Sequence, residues 1–179
     1  MPHVDLLELP YFEGIELDTL ISLVDRMNPV RFPPGHELIH ESRGGDPTLY
    51  IVTRGQVELL KRASSGTLRL ACLNAPTLLG EVELFCEVPA VATARTLTEI
   101  ESFALSRNTF DRLKDERHPA MLQFTHNLAR VACHRLAVVN TMLSYKIGAG
   151  DLSDLRREIF GSNTDLRAAT TTGSFFRSK

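Results

Sequence analysis

The spacing of apolar residues changes twice along the chain, from a helical period to a strand period and back. Residues 5–27 place apolar side chains at helical spacing, which predicts helical structure that ends at Asn28-Pro29. From Val30 to Ser106 the apolar runs are short and are separated by turn-forming residues. This pattern predicts strands at 30–32, 37–40, 49–53, 56–60, 68–73, 92–97 and 100–105.

One stretch within the strand region follows neither pattern. Gly80-Glu81 opens a single predicted helical turn, and a loop closed by Pro89 leads into the strand that begins near Ala92. Free amides at the start of a short helix favour an anion, and a carboxylate there suits a sugar hydroxyl. The stretch therefore suggests a pocket for a phosphorylated, ribose-bearing ligand. However, no Arg or Lys lies between Gly80 and Ala94 to meet the phosphate charge.

The order of the elements predicts the fold class. Short strands with a turn between each indicate a jelly-roll or barrel rather than βαβ units. After the strands, Ser106 is predicted to cap a short helix over Asn108–Lys114. We therefore expect an α+β, mainly β protein: an antiparallel jelly-roll β-barrel with N-terminal helices, a one-turn helix at Gly80-Glu81 and a long C-terminal helix.

The long helix is predicted from Ala120 to Tyr145, because no Gly or Pro interrupts the sequence there. One apolar stripe comprises Met121, Phe124, Leu128, Val131, Val138, Met142 and Tyr145. The second stripe comprises Leu122, Ala129, Ala132, Leu136, Val139 and Leu143. One stripe suffices to cover the core of the same chain, so the second predicts a homodimer. The alternative is that a neighbouring segment of the chain covers the second stripe.

Two segments are predicted along the chain. Residues 1–145 form one domain that includes the long helix over 120–145, and residues 146–179 form an appendage. Within the appendage we expect a hinge at Gly148–Gly150, a short amphipathic helix over Asp151–Phe160 and a mobile tail rich in Thr and Ser. The tail ends with two Phe beside two cations, which is either a docking peptide or an untethered terminus.

Composition narrows the classes of function. A net charge of −2 gives no electrostatic reason to expect nucleic acid or an anionic membrane as a partner. The N-terminus does not read as a signal peptide, and no stretch approaches the ~18 consecutive apolar residues of a membrane span. Cys72, Cys86 and Cys133 form no C-x-x-C pair. They are predicted to be reduced, mostly buried thiols of a cytoplasmic protein.

No arrangement of residues predicts catalysis or a metal site. His36 and His40 flank the start of a strand and do not share a helix face, so the H-E-x-x-H geometry fails. His126 and His134 are expected to face water or a dimer partner. No G-x-S-x-G, P-loop or paired-acid signature is present. We therefore predict no catalytic residue, no metal ligand and no cofactor, and an enzyme is the least favoured class.

Several short motifs, taken in order, resemble the cyclic-nucleotide-binding domain family over about residues 10–145. The glycines within them match the tight turns of that family, and the long helix resembles the dimerisation helix of catabolite-activator-type bacterial regulators. The motifs are Phe32-Pro33-Pro34-Gly35, Ile39-His40-Glu41, Leu49-Tyr50-Ile51-Val52, Gly55-Gln56-Val57-Glu58, Leu79-Gly80-Glu81 and Ala92-Thr93 followed by Arg95.

The resemblance implies a phosphate-binding cassette from Gly80 to Thr93 and a cyclic nucleotide as its ligand. In such a cassette Glu81 would bind the ribose 2′-hydroxyl, and backbone amides would meet the phosphate. The implied ligand-binding positions are Gly80, Glu81, Val82, Ala90, Val91 and Thr93.

The cassette departs from the family pattern at three positions. The family places an Arg that pairs with the phosphate where this chain has Ala90, and small residues where it has Val91 and Glu83. Losing a buried, charge-assisted phosphate partner costs about 2–5 kcal/mol, which is tens- to thousands-fold in affinity. Arg95 is no replacement, because intact members of the family also carry an Arg there. Arg43, Arg54 and Arg69 remain candidates for reaching the site from elsewhere.

These observations favour a regulatory or scaffold protein that dimerises and acts through contacts with an unidentified protein partner, with cyclic-nucleotide binding weakened or lost. The alternative is a genuine sensor that binds a cyclic nucleotide or cyclic dinucleotide in a non-standard way. A transcription factor is disfavoured, because the residues after Tyr145 are fewer than the roughly 50 that a domain needs and contain no basic recognition helix. We therefore expect no DNA binding through this chain alone.

Overall fold

The computed structural model describes residues 6–42, 45–64, 66–86 and 88–146, with the side chains of 138–146 left out of the description. The chain divides into two units, Met1–Val131 and Ala132–Lys179. The first unit contains all of the described strands. The described part of the second unit is the distal part of the long helix.

Eight antiparallel strands form two four-stranded sheets in the first unit. They are β1 (Asn28–Phe32), β2 (Glu37–Ile39), β3 (Thr48–Arg54), β4 (Gln56–Ala63), β5 (Gly66–Asn74), β6 (Thr77–Leu79), β7 (Thr93–Thr96) and β8 (Ile100–Ser106). One sheet has the order β1-β8-β3-β6 and the other β2-β7-β4-β5. Consecutive strands therefore alternate largely between the sheets, which confirms the predicted mainly β jelly-roll architecture.

Four helices of six residues or more are described: α1 (Leu17–Val24), α2 (Glu81–Cys86), α3 (Arg107–Asp115) and α4 (Ala120–Lys146). The Ser106 side chain accepts a hydrogen bond from the backbone N–H of Thr109, which confirms the predicted cap of α3. The predicted start of the long helix at Ala120 is also confirmed.

The helical prediction for residues 5–27 is wrong over 7–16. Here the backbone forms successive four-residue turns, with Leu9 N–H bonded to Leu6 O at 3.1 Å and Phe12 N–H to Leu9 O at 3.0 Å. Pro10 has no N–H to continue a helix, and Gly14 has a φ of +76°, outside the helical region. Most apolar residues of this segment are nevertheless buried, with Leu7 as an exposed exception. Their spacing therefore reflects burial of side chains along a series of turns.

The first half of α4 packs on these N-terminal turns. Phe124 stacks on Phe12 with ring centroids 5.3 Å apart, and both side chains are fully buried. Asn127 is also buried, and its Nδ2 donates to the backbone oxygens of Tyr11 at 3.1 Å and Glu13 at 2.8 Å. The first predicted stripe therefore does cover the core at Met121, Phe124 and Leu128.

In the second unit, the helix continues to Lys146 and the described side chains from Ala132 to Ala137 are exposed. The predicted hinge, short helix and tail beyond residue 146 lie outside the described residues, as do the side chains of Val138, Val139, Met142, Leu143 and Tyr145.

Candidate functional site

The candidate cassette begins at Gly80, which has a positive φ of +89°. A Cβ added there would overlap the backbone oxygen of Thr48 on β3. Gly80 is therefore required by the close approach of two backbone segments, whether or not a ligand binds. Its own carbonyl accepts the N–H of Leu84 at 3.2 Å, and this bond closes the first turn of α2.

Helix α2 is anchored by one side and exposed on the other. Leu84 is 1% exposed and joins the core, whereas Val82 and Phe85 are 37% and 43% exposed. The Phe85 ring meets the edge of Phe110 with centroids 5.5 Å apart. Glu81 is half-buried at the start of the helix. The predicted one-turn helix is thus present, and it places Gly80, Glu81 and Val82 consecutively at one end of the cassette.

The other end of the cassette is tied to the turn that follows β2. Ala90 is buried, and its backbone oxygen accepts the N–H of Ser42 at 2.9 Å. Thr93 is buried as well, and its hydroxyl accepts the N–H of Glu41 at 3.0 Å. Val91 is 53% exposed. The Thr93 hydroxyl, predicted as a ligand contact, is thus already engaged by the backbone of the chain.

A cleft with a volume of about 600 Å³ lies beside Ala90, within the size range of small-molecule sites. Ala90 and Glu83 line it, so the structure brings together two of the three departures from the family pattern. Three carboxylates, from Glu37, Asp46 and Glu83, are among the described lining residues, against one guanidinium and one imidazole. This balance of charge disfavours a phosphate.

The basic side chains of the cleft already have partners within the chain. Arg107 donates from Nη1 to the backbone oxygen of Leu84 and from Nε to Asp111 at 2.9 Å. His40 lies with Nδ1 2.8 Å from the backbone oxygen of Glu41, and its Nε2 is 3.7 Å from Glu37.

The arginines considered from sequence are directed elsewhere. Arg69 Nε lies 2.7 Å from Glu58, and Arg54 Nη1 lies 3.8 Å from Glu101. Arg95 also binds Glu58, from Nε at 2.8 Å and Nη2 at 2.6 Å. Arg43 lies outside the described residues.

A lysine that the sequence reading missed lies at the cassette instead. Lys61 Nζ donates to the backbone oxygen of Val91 at 2.6 Å and pairs with Glu41 Oε1 at 2.6 Å. On β4, Lys61 follows the core residues Val57 and Leu59 at alternate positions, which lie on one face of a strand. The sequence signal that could have identified Lys61 is its place in this alternation, where a cation follows two apolar residues on the same face of β4.

The members of the predicted dimer stripe whose side chains are described, Leu122, Ala129, Ala132 and Leu136, are exposed. Leu122 is 82% exposed and Leu136 is 56% exposed, and Ala129 and Ala132 between them are exposed. Exposed large apolar residues at heptad spacing on one helix mark a candidate interaction surface.

The three cysteines are also exposed, so the prediction that they are mostly buried is wrong.

The comparisons with known proteins agree with this fold. The model of the cyclic nucleotide-binding domain matches residues 29–117. The N-terminal domain of a transcriptional regulator from Streptomyces coelicolor A3(2) superposes with a TM-score of 0.62 at 30% identity, covering 76% of this chain and 94% of that one. The chain belongs to the cyclic-nucleotide-binding domain family and is of the catabolite-activator type.

Two further relatives show how far the similarity extends. A CRP-like cAMP-activated global transcriptional regulator from Mycobacterium tuberculosis is 30% identical over 134 residues, which are 74% of this chain and 58% of that protein. The catabolite activator protein of Thermus thermophilus gives a TM-score of 0.69 at 25% identity, covering 76% of this chain and 62% of that one. The chain thus spans less than two thirds of the length of these relatives.

Two further findings on the described residues concern membrane spans and metal sites. None of the helices there has the length and apolar character to cross a membrane. Likewise, no group of three or more His, Cys, Asp or Glu side chains in this part of the chain is arranged to hold a metal ion.

Proposed function

We propose that the chain is a non-enzymatic, cytoplasmic regulatory module that dimerises through α4 and acts on a protein partner, with cyclic-nucleotide binding weakened or lost. We further propose that residues 1–145 make up this module, that residues 146–179 form an appendage, and that this chain alone does not bind DNA. The assignment to a regulatory class rests on the family to which the chain belongs. The proposal that cyclic-nucleotide binding is weakened rests on the charge of the cassette.

The observation that carries the proposal is the environment of Ala90. The residue lines a cleft in which carboxylates outnumber cations, and Arg107 beside it is held by Leu84 and Asp111. Arg54, Arg69 and Arg95 pair with carboxylates on the sheets. A cyclic phosphate entering this cleft would lose its hydration without gaining the charge-assisted bonds that compensate for it.

Calorimetric titration with cyclic AMP and cyclic GMP tests this proposal. We expect no saturable heat at micromolar ligand. Binding at micromolar concentration or tighter would reject the weakened-site reading and would favour the second candidate, a genuine sensor, which is supported by Gly80 and Glu81 at their family positions. In a sensor, Glu81→Ala should abolish binding while the fold is retained.

The dimer is supported by the exposed stripe on α4. Replacing Leu122 and Leu136 together by Glu should convert the dimer to a monomer in sedimentation, because charges would enter a desolvated seam. Leu17→Glu provides the matched control, since Leu17 is an exposed leucine on α1. A wild-type chain that sediments as a monomer at micromolar concentration contradicts this part of the proposal.

A further inference from the structure

The turn after β2 meets the end of the cassette at a corner of the fold, where three hydrogen bonds hold the cassette end in place. The N–H groups of Glu41 and Ser42 bond to Thr93 and Ala90 respectively, at 3.0 and 2.9 Å. Lys61 adds a third bond, from Nζ to the backbone oxygen of Val91. The cassette end is thus held in place by the chain itself.

A buried carboxylate completes this corner. Glu41 is 6% exposed, and its two oxygens are bonded to different donors: Oε1 to Lys61 Nζ at 2.6 Å and Oε2 to the N–H of Arg62 at 2.8 Å. These are charge-assisted bonds of the kind that bind a phosphate. Hydrogen bonds from Lys61 and from the Arg62 backbone hold the pKa of Glu41 below its ordinary value, so the carboxylate is an anion at neutral pH.

The donors have the properties of an anion site. An ammonium carries three N–H donors, and a backbone N–H beside it adds a fixed fourth. The side chain of Lys61 is 43% exposed, so an anion from solvent can approach it. Lys61 also contacts the backbone oxygen of Val91, the residue that directly follows Ala90 in the cassette.

We propose that Lys61 and the Arg62 amide form a latent phosphate-binding site, and that Glu41 occupies it as an internal anion in place of a ligand. The site would take a phosphate group, either as inorganic phosphate or as a phosphate ester. This inference rests on the proposed function. In a cassette that lacks its usual arginine, the Glu41–Lys61 pair would hold the cassette end in place. A purely structural ion pair would give the same contacts but no latent affinity for phosphate.

Glu41→Ala tests the proposal by removing the internal anion. Inorganic phosphate should bind this variant at least about tenfold more tightly than it binds the wild type, as measured by calorimetry at constant ionic strength. Glu116→Ala is the matched control: it removes the same charge from a surface pair with Arg26, and should give no such gain. Lys61→Met in the Glu41→Ala background should abolish the gain.

The result that would overturn the proposal is a phosphate affinity in Glu41→Ala no higher than in Glu116→Ala, or a gain that persists without Lys61. If Glu41→Ala does not fold, Glu41→Gln decides in the same way, because the amide keeps the shape and removes the charge. A parallel titration with cyclic AMP identifies the source: a larger gain for the ester assigns the site to a nucleotide, and an equal gain to free phosphate.

This comparison is independent of the test of the proposed function. Micromolar binding of cyclic AMP by the wild type would contradict the weakened cassette, yet the phosphate affinities of the variants would still decide whether Glu41 blocks a site.

Discussion

Arg95 and Glu58 face each other across β7 and β4, and the guanidinium of Arg95 donates two hydrogen bonds to one carboxylate oxygen of Glu58, at 2.8 and 2.6 Å. Glu58 is 1% exposed, and Arg69 approaches its other oxygen. Arg95, the arginine nearest the end of the cassette, is therefore bonded within the sheet. If Arg95 turned to bind a phosphate, the buried carboxylate of Glu58 would lose one of its two cations.

Glu58→Gln should lower the melting temperature at neutral pH, and the loss should shrink in acid. The hydrogen bond from Arg95 and the charge of Arg69 hold the pKa of Glu58 below its ordinary value. A depressed carboxyl pKa stabilises the fold above the unfolded-state pKa, and that stability is lost as pH falls through the folded-state pKa. Thermal denaturation of both proteins between pH 7 and acid checks this, since the two curves should converge.

Glu99→Gln is the control for the pH series, because Glu99 is exposed. It should leave the melting temperature nearly unchanged throughout. A Glu58→Gln deficit that stays constant at all pH values would show that the loss comes from packing and not from the ionised pair.

Gly80→Ala should destabilise the fold more than Gly35→Ala. Both glycines have a positive φ, +89° and +82°, but an added Cβ meets Thr48 at Gly80 and nothing within 4 Å at Gly35. The backbone penalty at Gly35 should be about 1–2 kcal/mol, and the overlap at Gly80 should add about 1–3 kcal/mol. Urea denaturation measures both, and equal losses would mean that Thr48 moves aside without cost.

Asn127→Ala should cost about 1–3 kcal/mol of unfolding free energy, because it leaves the backbone oxygens of Tyr11 and Glu13 without this donor in a largely buried setting. Asn108→Ala makes the same change at an exposed position and should fall within about 0.5 kcal/mol of the wild type. If the two variants unfold at the same urea concentration, the bonds from α4 to the N-terminal turns contribute little.

Cys133 provides a test of the proposed dimer and its orientation. It lies four residues after Ala129 and three before Leu136, and therefore on the face of the exposed stripe. In a symmetric parallel dimer each seam residue faces its own counterpart. With Cys72 and Cys86 replaced by Ser, mild oxidation should give a covalent dimer on non-reducing gels, and Cys133→Ser should abolish it. Absence of the covalent dimer from a protein that sediments as a dimer would point to another interface.

The strands and helices that could be predicted from sequence are those with strong patterning. The long helix and seven of the eight strands follow from periodicity and turn residues. Strand β6, Thr77–Leu79, was missed because three residues are too few to display a period, whereas the equally short β2 is marked by turn-forming residues on both sides. The N-terminal turns were predicted as helix because four-residue turns can bury apolar side chains at the spacing that a helix would.

The cassette could be located from sequence, but its electrostatics could not. Gly80, Glu81 and the substituted position Ala90 are local features that a motif carries. The Glu41–Lys61 pair joins residues twenty positions apart, one in the turn after β2 and the other on β4, and Glu58 on β4 pairs with arginines on β5 and β7. Such pairs depend on strand register, which fixes which charges neutralise each other and is not visible in a single sequence.

We propose that the chain binds cyclic nucleotides weakly because it lacks an arginine at position 90, and Ala90→Arg tests this central claim most directly. Ala90 lines the cleft, so the longer side chain has space, and Val88→Arg adds the same charge at a neighbouring lining position as a control. Equilibrium dialysis with cyclic AMP should give an affinity tens- to thousands-fold higher for Ala90→Arg than for the wild type, in line with about 2–5 kcal/mol for the restored bond. An unchanged affinity in Ala90→Arg, or an equal gain in Val88→Arg, would contradict the claim.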